Sequence, residues 1–267
     1  MEKIIGFIGY GNMAKAMVNG LNKSGTFSKS KIIASKRNIS LEDKTEKVKI
    51  YLTEDNKEVA EKADFIVLAT KPNTYALILE EIGSYIKKDA IIISIGAGIS
   101  SGFLRDNLPQ GVKHIKTMPN TPAMVGEGMT ALSINETLGK EDIEDIEKIF
   151  SSFGKTEIID ETLMDGFTAL CGSSPAYIYM MIEAMADGGV LEGIPRDKAY
   201  RMAAQSVLGS AKMVLETGLS PSKLKDNVAS PGGTTIEAIA SLEEHGFRSA
   251  IMKAMRACAK KSKEMSK

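Results

Sequence analysis

A cluster of small residues set between a strand and a helix constrains this chain more than any other feature. Residues 3–14 read "KIIGFIGYGNMA": an apolar run, then Gly9-x-Gly11-x-x-Ala14, then the start of a helix-forming segment. Gly9 allows a tight turn, Gly11 lets backbone approach a pyrophosphate, and Ala14 lets the helix pack close on the strand. The helix start adds unpaired N–H groups at the positive end of a dipole, a ready anion site. Such a loop belongs to a βαβ unit, and the next residues supply more of the same pattern. "KIIAS" (31–35), "ADFIVLAT" (63–70), "AIIISIG" (90–96) and "VKHIKTM" (112–118) are short apolar runs separated by helix-like segments such as "NTYALILEEIGSYIKK". Strands rich in Ile and Val without polar alternation fit a parallel sheet covered on both faces. The expected first half is a doubly wound α/β sheet. "MTALSI" (129–134) and "KTEIID" (155–160) are two further strand candidates around an amphipathic helix.

Beyond residue 161 the strand signal stops, and segments 162–171, 175–191, 196–217, 234–244 and 247–265 read as helices. This divides the chain into a dinucleotide-binding domain, 1–160, and a helical domain, 161–267. "PAYIYMMIEAMA" (175–186) carries a single charge, Glu183, and is apolar around nearly its whole circumference. A helix without a polar face must be buried on all sides. A helical tail of about a hundred residues has little interior to bury it, so a second copy of the chain is the favoured cover; the alternative is a central helix wrapped by its own neighbours. The 34 basic and 34 acidic residues cancel, which argues against nucleic acid or anionic membrane as partner. Cys171 and Cys258 lie far apart without metal or disulfide spacing and are expected as buried free thiols in a reducing compartment. The N-terminus begins a strand rather than a signal peptide, and no apolar run reaches the roughly 20 residues of a membrane span. The expected location is the cytoplasm.

The end of the second strand chooses the dinucleotide. An NAD-preferring fold places Asp or Glu there for the ribose 2′-hydroxyl; this chain has Ser35, Lys36 and Arg37. Two cations and a hydroxyl suit a 2′-phosphate, so NADPH is expected ahead of NADH, the alternative being a merely solvated turn. Lys71 in "ATKPN" and Gly96–Gly98 in "SIGAGIS" follow two further strands, where ligands of such sheets lie. A second glycine loop, "SPGGTTIEAI" (230–239), opens a helix with no strand before it. Its glycines and threonines form a nest suited to a small carboxylate; the plainer alternative is a helix cap by Ser230 or Thr234. His114 and His245 are poorly placed for acid–base work, and no triad or metal cluster is present. A protonated imine, already electrophilic at carbon, needs least help of that kind.

With "ATKP", "MPNTPAMVGEGMTAL" (118–132), "CGSSPAYIYMMIEAMADGGVLEGIPR" (171–196) and "KDNVASPGGTTI" (225–236), the chain resembles pyrroline-5-carboxylate reductase nearly end to end. The resemblance implies a Rossmann domain followed by a helical dimerisation domain. It implies hydride transfer from NAD(P)H to 1-pyrroline-5-carboxylate, giving L-proline, in a homodimer or larger oligomer whose sites draw on both chains. It assigns Gly9, Gly11, Asn12 and Met13 to the pyrophosphate turn, Ser35 and its neighbours to the 2′-phosphate, and Asn56 to the adenosine ribose. Lys71, Pro72 and Ala97 would border the cofactor. Gly233, Thr234 and Thr235 would hold the substrate carboxylate, Thr235 reaching the ring nitrogen as the catalytic contact, with Glu161 and Asn227 nearby. Ser174 stands where the family usually has glycine, and Ala229 where Ser or Cys is common. A β-hydroxyacid dehydrogenase would need a lysine on 175–193, and there is none. A non-catalytic NADPH-binding protein is the remaining alternative, and the second loop speaks against it.

Overall fold

The computed structural model describes residues 1–40, 43 and 50–265. It divides into two compact units: Met1–Gly172 with the chain's end from Cys258, and Ser173–Ala257.

The first unit is built on an eight-stranded sheet in the order β3-β2-β1-β4-β5-β6-β7-β8. The strands are β1 (Ile5–Ile8), β2 (Ile32–Ser35), β3 (Tyr51–Thr53), β4 (Phe65–Leu68), β5 (Ile91–Ser94), β6 (Lys113–Met118), β7 (Gly128–Ser133) and β8 (Gly154–Ile158). Every residue of β1, β2, β4 and β5 is buried. Their alternate side chains feed two separate cores. Phe65, Val67, Ile91 and Ile93 meet the helices Asn12–Ser24 and Lys140–Ser151 through Met17, Leu21, Ile149 and Phe150. Ile66, Leu68 and Ile92 meet the helices Asn56–Lys62, Tyr75–Ile82 and Ser101–Asn107 through Val59, Leu79 and Leu104. Each such side chain contributes roughly 1.5–3 kcal/mol on burial, and a strand buried on both faces has no use for polar alternation. This is the doubly wound arrangement expected.

The sheet is parallel from β3 to β6, but β7 runs antiparallel to β6 and β8 parallel to β7. The link between Met118 and Gly128 is shorter than the dozen or so residues a parallel crossover needs, so the chain turns back. β3 lies on one sheet edge with Tyr51 53% exposed, and its short, partly solvated run gave no strand signal. The segment expected as one helix over 162–171 is a 3₁₀ turn (Glu161–Leu163), a single α-turn (Met164–Phe167) and a π-turn (Thr168–Gly172). Met164 and Phe167 are buried, which packs this segment into the first unit although strands end near residue 160. The end of the last helix, Phe247–Met265, belongs to the first unit too: Ser262 Oγ donates to Asp165 Oδ1 at 2.6 Å.

The second unit is helical throughout: Ser174–Leu191, Arg196–Thr217, Pro221–Val228, Thr234–Glu244 and the first part of Phe247–Met265. Pro221–Val228 was not read from the sequence, although Ser220 caps it by accepting from Lys223 N at 3.3 Å. Ser174 opens the apolar helix without disturbing it. That helix is not wrapped by its own neighbours: Ala186 is its only buried residue, while Tyr179 and Met180 are 61% and 70% exposed. Across the unit only Ala186, Ala199 and Ala203 are buried. Three alanines are a small core for five helices. Cys171 and Cys258 form no disulfide, as expected, but are half-buried rather than buried. Burial pushes the Cys171 thiol up from its ordinary value. Among the described residues no helix is long and apolar enough to cross a membrane.

Candidate active site

The glycine turn sits at the carboxyl end of β1. Gly9 has φ +95°, and its N–H donates to Ser35 O at 3.1 Å, tying the turn to the end of β2. Gly11 is the N-cap of Asn12–Ser24, in extended backbone and without a side-chain cap. A Cβ placed on Gly11 would meet nothing within 4 Å. The turn therefore presents uncapped N–H groups of Asn12 and Met13 to open space, which fits a pyrophosphate.

At the next strand end Ser35 is buried and donates to Asn56 Oδ1 at 2.7 Å; Asn56 Nδ2 donates in turn to Glu81 at 2.9 Å. The residue expected at the 2′-phosphate and the one expected at the adenosine ribose are thus joined, with Glu81 as an added anchor. Lys36 is not a loose surface cation. Its ammonium donates to Asp43 at 2.5 Å, and Lys15 reaches the other oxygen of the same carboxylate at 2.9 Å. Arg37 is exposed, and among the described residues no ion pair engages it. Replacing it by glutamate is expected to lower the kcat/KM ratio of NADPH to NADH at least tenfold, since a carboxylate repels a phosphate and accepts from a ribose hydroxyl. Steady-state kinetics with both cofactors checks this; an unaltered ratio would take Arg37 out of the site.

Lys71, Pro72 and Ala97 line one cleft of about 630 Å³, with Ser100, Phe103 and Met265 on its other walls. A smaller cleft of about 420 Å³ opens at the opposite strand ends among Lys3, Asp64, Lys113 and Asp142. Its lysines are already ion-paired, to Asp145 and Asp142 at 2.8 Å each, and ligands in such sheets lie at the carboxyl ends.

Glu161 is held within the first unit. Its carboxylate accepts from Ser101 N at 2.9 Å and lies 3.6 Å from Lys116, whose side chain is 8% exposed. Nearby, Asn120 ties two segments together, donating to Cys171 O and accepting from Met129 N, both at 2.9 Å. Ser101 Oγ is the one buried side-chain polar atom among the described residues without a hydrogen bond. Lys116 and Lys15 carry no motif that would have singled them out, and Asn120 lies in the 118–132 segment without a role assigned to it; the sheet topology brings their partners near.

The second loop lies in the second unit. Gly232 has φ +65°, and Gly233 N donates to Ser230 O at 3.1 Å, closing a tight turn. Gly233, not Ser230 or Thr234, is the N-cap of Thr234–Glu244, and no side chain caps that helix. The first-turn N–H groups stay available, with Thr234 exposed, Thr235 half-buried, and Asn227 exposed on the preceding helix. The plain capping alternative is thereby removed. Glu161 belongs to the first unit, and Asn227, Gly233, Thr234 and Thr235 to the second.

A 3-2-1-4-5-6 strand order with an uncapped glycine turn defines a Rossmann-type nucleotide-binding oxidoreductase fold. Residues 4–98 match the family described as NADP oxidoreductase, coenzyme F420-dependent. Residues 161–265 match the pyrroline-5-carboxylate reductase dimerisation family. The chain is 47% identical to pyrroline-5-carboxylate reductase of Escherichia coli over 268 residues, covering 100% of both chains. Two solved relatives superpose with TM-scores of 0.91. One is the Plasmodium falciparum pyrroline carboxylate reductase with NADP bound, at 32% identity and covering 100% of this chain and 99% of that one. The other is a pyrroline-5-carboxylate reductase from Coxiella burnetii, at 34% and 100% of both. This chain belongs to the pyrroline-5-carboxylate reductase family.

Proposed function

We propose that this chain reduces the C=N bond of 1-pyrroline-5-carboxylate to L-proline with NADPH, in the cytoplasm, as a homodimer or larger homo-oligomer. Family membership over the full length supports the reaction and the cofactor. The uncapped opening of Thr234–Glu244 carries the assignment of the substrate loop. NADPH, when bound, supplies a hydride to the imine carbon, whose π pair goes to nitrogen. The chain's own contribution is placement. Asn12 and Met13 offer N–H groups to the pyrophosphate, and Ser35, Lys36, Arg37 and Asn56 serve the adenosine end. Lys71, Pro72 and Ala97 wall the cofactor cleft. Gly233 and Thr234 hold the substrate carboxylate, and Thr235 Oγ1 bonds the ring nitrogen, so the ring presents one face. Asn227 steadies the loop. Glu161, already charge-paired with Lys116, acts by fixing the Ser101 turn. The exposed apolar helix Ser174–Leu191 supports pairing of two copies, with each site drawing on both. Balanced charge supports a small-molecule substrate over nucleic acid.

Thr235→Ala is expected to lower kcat about 10- to 100-fold, the weight of one charge-assisted hydrogen bond of roughly 1.5–3 kcal/mol. The fluorescence-titrated Kd for NADPH stays as it was. Undiminished turnover would remove Thr235 from the chemistry.

A further inference from the structure

Lys15 and Asp43 have no place in the glycine fingerprint, yet the fold brings both to the end of β2. Lys15 lies on the helix that the glycine turn opens, with its ammonium 5.3 Å from the Tyr10 ring centroid, between Gly9 and Gly11. Lys36 follows the last residue of β2 and is fixed there by its N–H, which donates to Thr53 O at 3.0 Å. Between them stands Asp43, its side chain showing no exposed surface, with Oδ1 taken by Lys15 and Oδ2 by Lys36. Ser40 N and Ser40 Oγ also donate to Oδ2, each at 2.8 Å. Burial raises the Asp43 carboxyl, but the bonds from Lys36, Ser40 and Lys15 outweigh it and hold the group far below the usual carboxylate range.

We infer that Asp43 is a positioning residue that gathers Lys15 and Lys36 into one preassembled cationic shelf for the cofactor's 2′-phosphate, and that Lys15 is a phosphate contact. This rests on the reading of the β2 end as the 2′-phosphate site. Two ammonium groups repel each other and sit on flexible stems; a shared carboxylate between them removes both obstacles.

Calorimetric titration with adenosine 2′,5′-bisphosphate and with 5′-AMP isolates the 2′-phosphate without turnover. The parent protein is expected to prefer the bisphosphate. Asp43→Asn should cut that preference about tenfold while leaving 5′-AMP affinity as it was. Lys15→Gln, which keeps an N–H donor for Asp43 while losing the charge, should do the same. A preference that is unchanged or rises in Asp43→Asn would overturn the inference, a rise meaning that Asp43 merely neutralises the lysines. An equal loss for both nucleotides would make Asp43 structural only and overturn it too. An unchanged preference in Lys15→Gln would remove Lys15 as a contact. A parent protein that does not distinguish the two nucleotides would fail the underlying site assignment as well, a result distinct from all of these.

Discussion

Gly9→Ala is expected to weaken NADPH binding by about 30- to 1,000-fold. At φ +95° an L side chain is strained by roughly 1–2 kcal/mol. Its Cβ would also stand 2.8 Å from Ala69 O and 2.8 Å from Thr70 Cγ2. The first of these is backbone, itself pinned by the Ala69 N–H donating to Ile8 O at 2.8 Å, so it cannot turn aside. Overpacking of this kind adds roughly 1–3 kcal/mol. If about 2–4 kcal/mol of the total falls on the turn's binding geometry, the affinity range follows at about 1.4 kcal/mol per decade. Gly11 makes the control. Its backbone is extended, at φ −89° and ψ −171°, and its surroundings are open, so Gly11→Val costs only the weaker helix cap while filling the space above the turn. Gly9→Ala should therefore lower Tm more than Gly11→Val does, and both should lower affinity. Differential scanning fluorimetry and NADPH titration check the pair; full affinity in Gly9→Ala would end the assignment of this turn to the pyrophosphate.

The second large effect is expected at Met180→Glu. Met180 is 70% exposed on a helix whose only charges are Glu183 and Asp187, in a unit whose buried residues are three alanines. In one copy the change only adds a charge to a wet surface and costs little. In a paired form it puts an unpartnered carboxylate into the seam, and twofold symmetry does so twice. Truncated or mismatched buried charges cost about 3–5 kcal/mol each, enough to dissociate a dimer of ordinary affinity. The variant should sediment at half the parent's mass or less and, with each proposed site drawing on both copies, lose most of its turnover. A parent-sized, fully active species would show that this helix faces no second copy.

How much of this was legible in the residues follows from where each signal is local. The strands from Ile5 to Ser94 announce themselves because burial on both faces leaves no room for polar residues. β3 does not: three residues on an edge, with Tyr51 in solvent, carry neither a continuous nor an alternating apolar pattern. The reversal at β7 depends on the length of the link before it rather than on the strand's own composition. Ser220-Pro221 was a readable helix start, masked by the charged run that follows. The residues 161–172 carry helical composition but break into three short turns, with Thr168 Oγ1 bonding back to Met164 O at 2.9 Å. Within the site, the glycine turns and Ser35 stood out because spacing and backbone geometry are encoded in neighbouring residues. The Lys15–Asp43–Lys36 clasp and the Glu161–Lys116 pair were invisible, since nothing in a sequence ties position 15 to 43 or 116 to 161 until the sheet is laid out.

The first unit closes with the chain's own end. Met265 walls the cleft beside Lys71 and Ala97, and its carbonyl oxygen lies 3.0 Å from where a Cβ of Gly98 would stand. A ribosome that has made the whole sheet has still to make every helix of the second unit before this last wall exists. A chain released early would carry a nucleotide fold with a missing side.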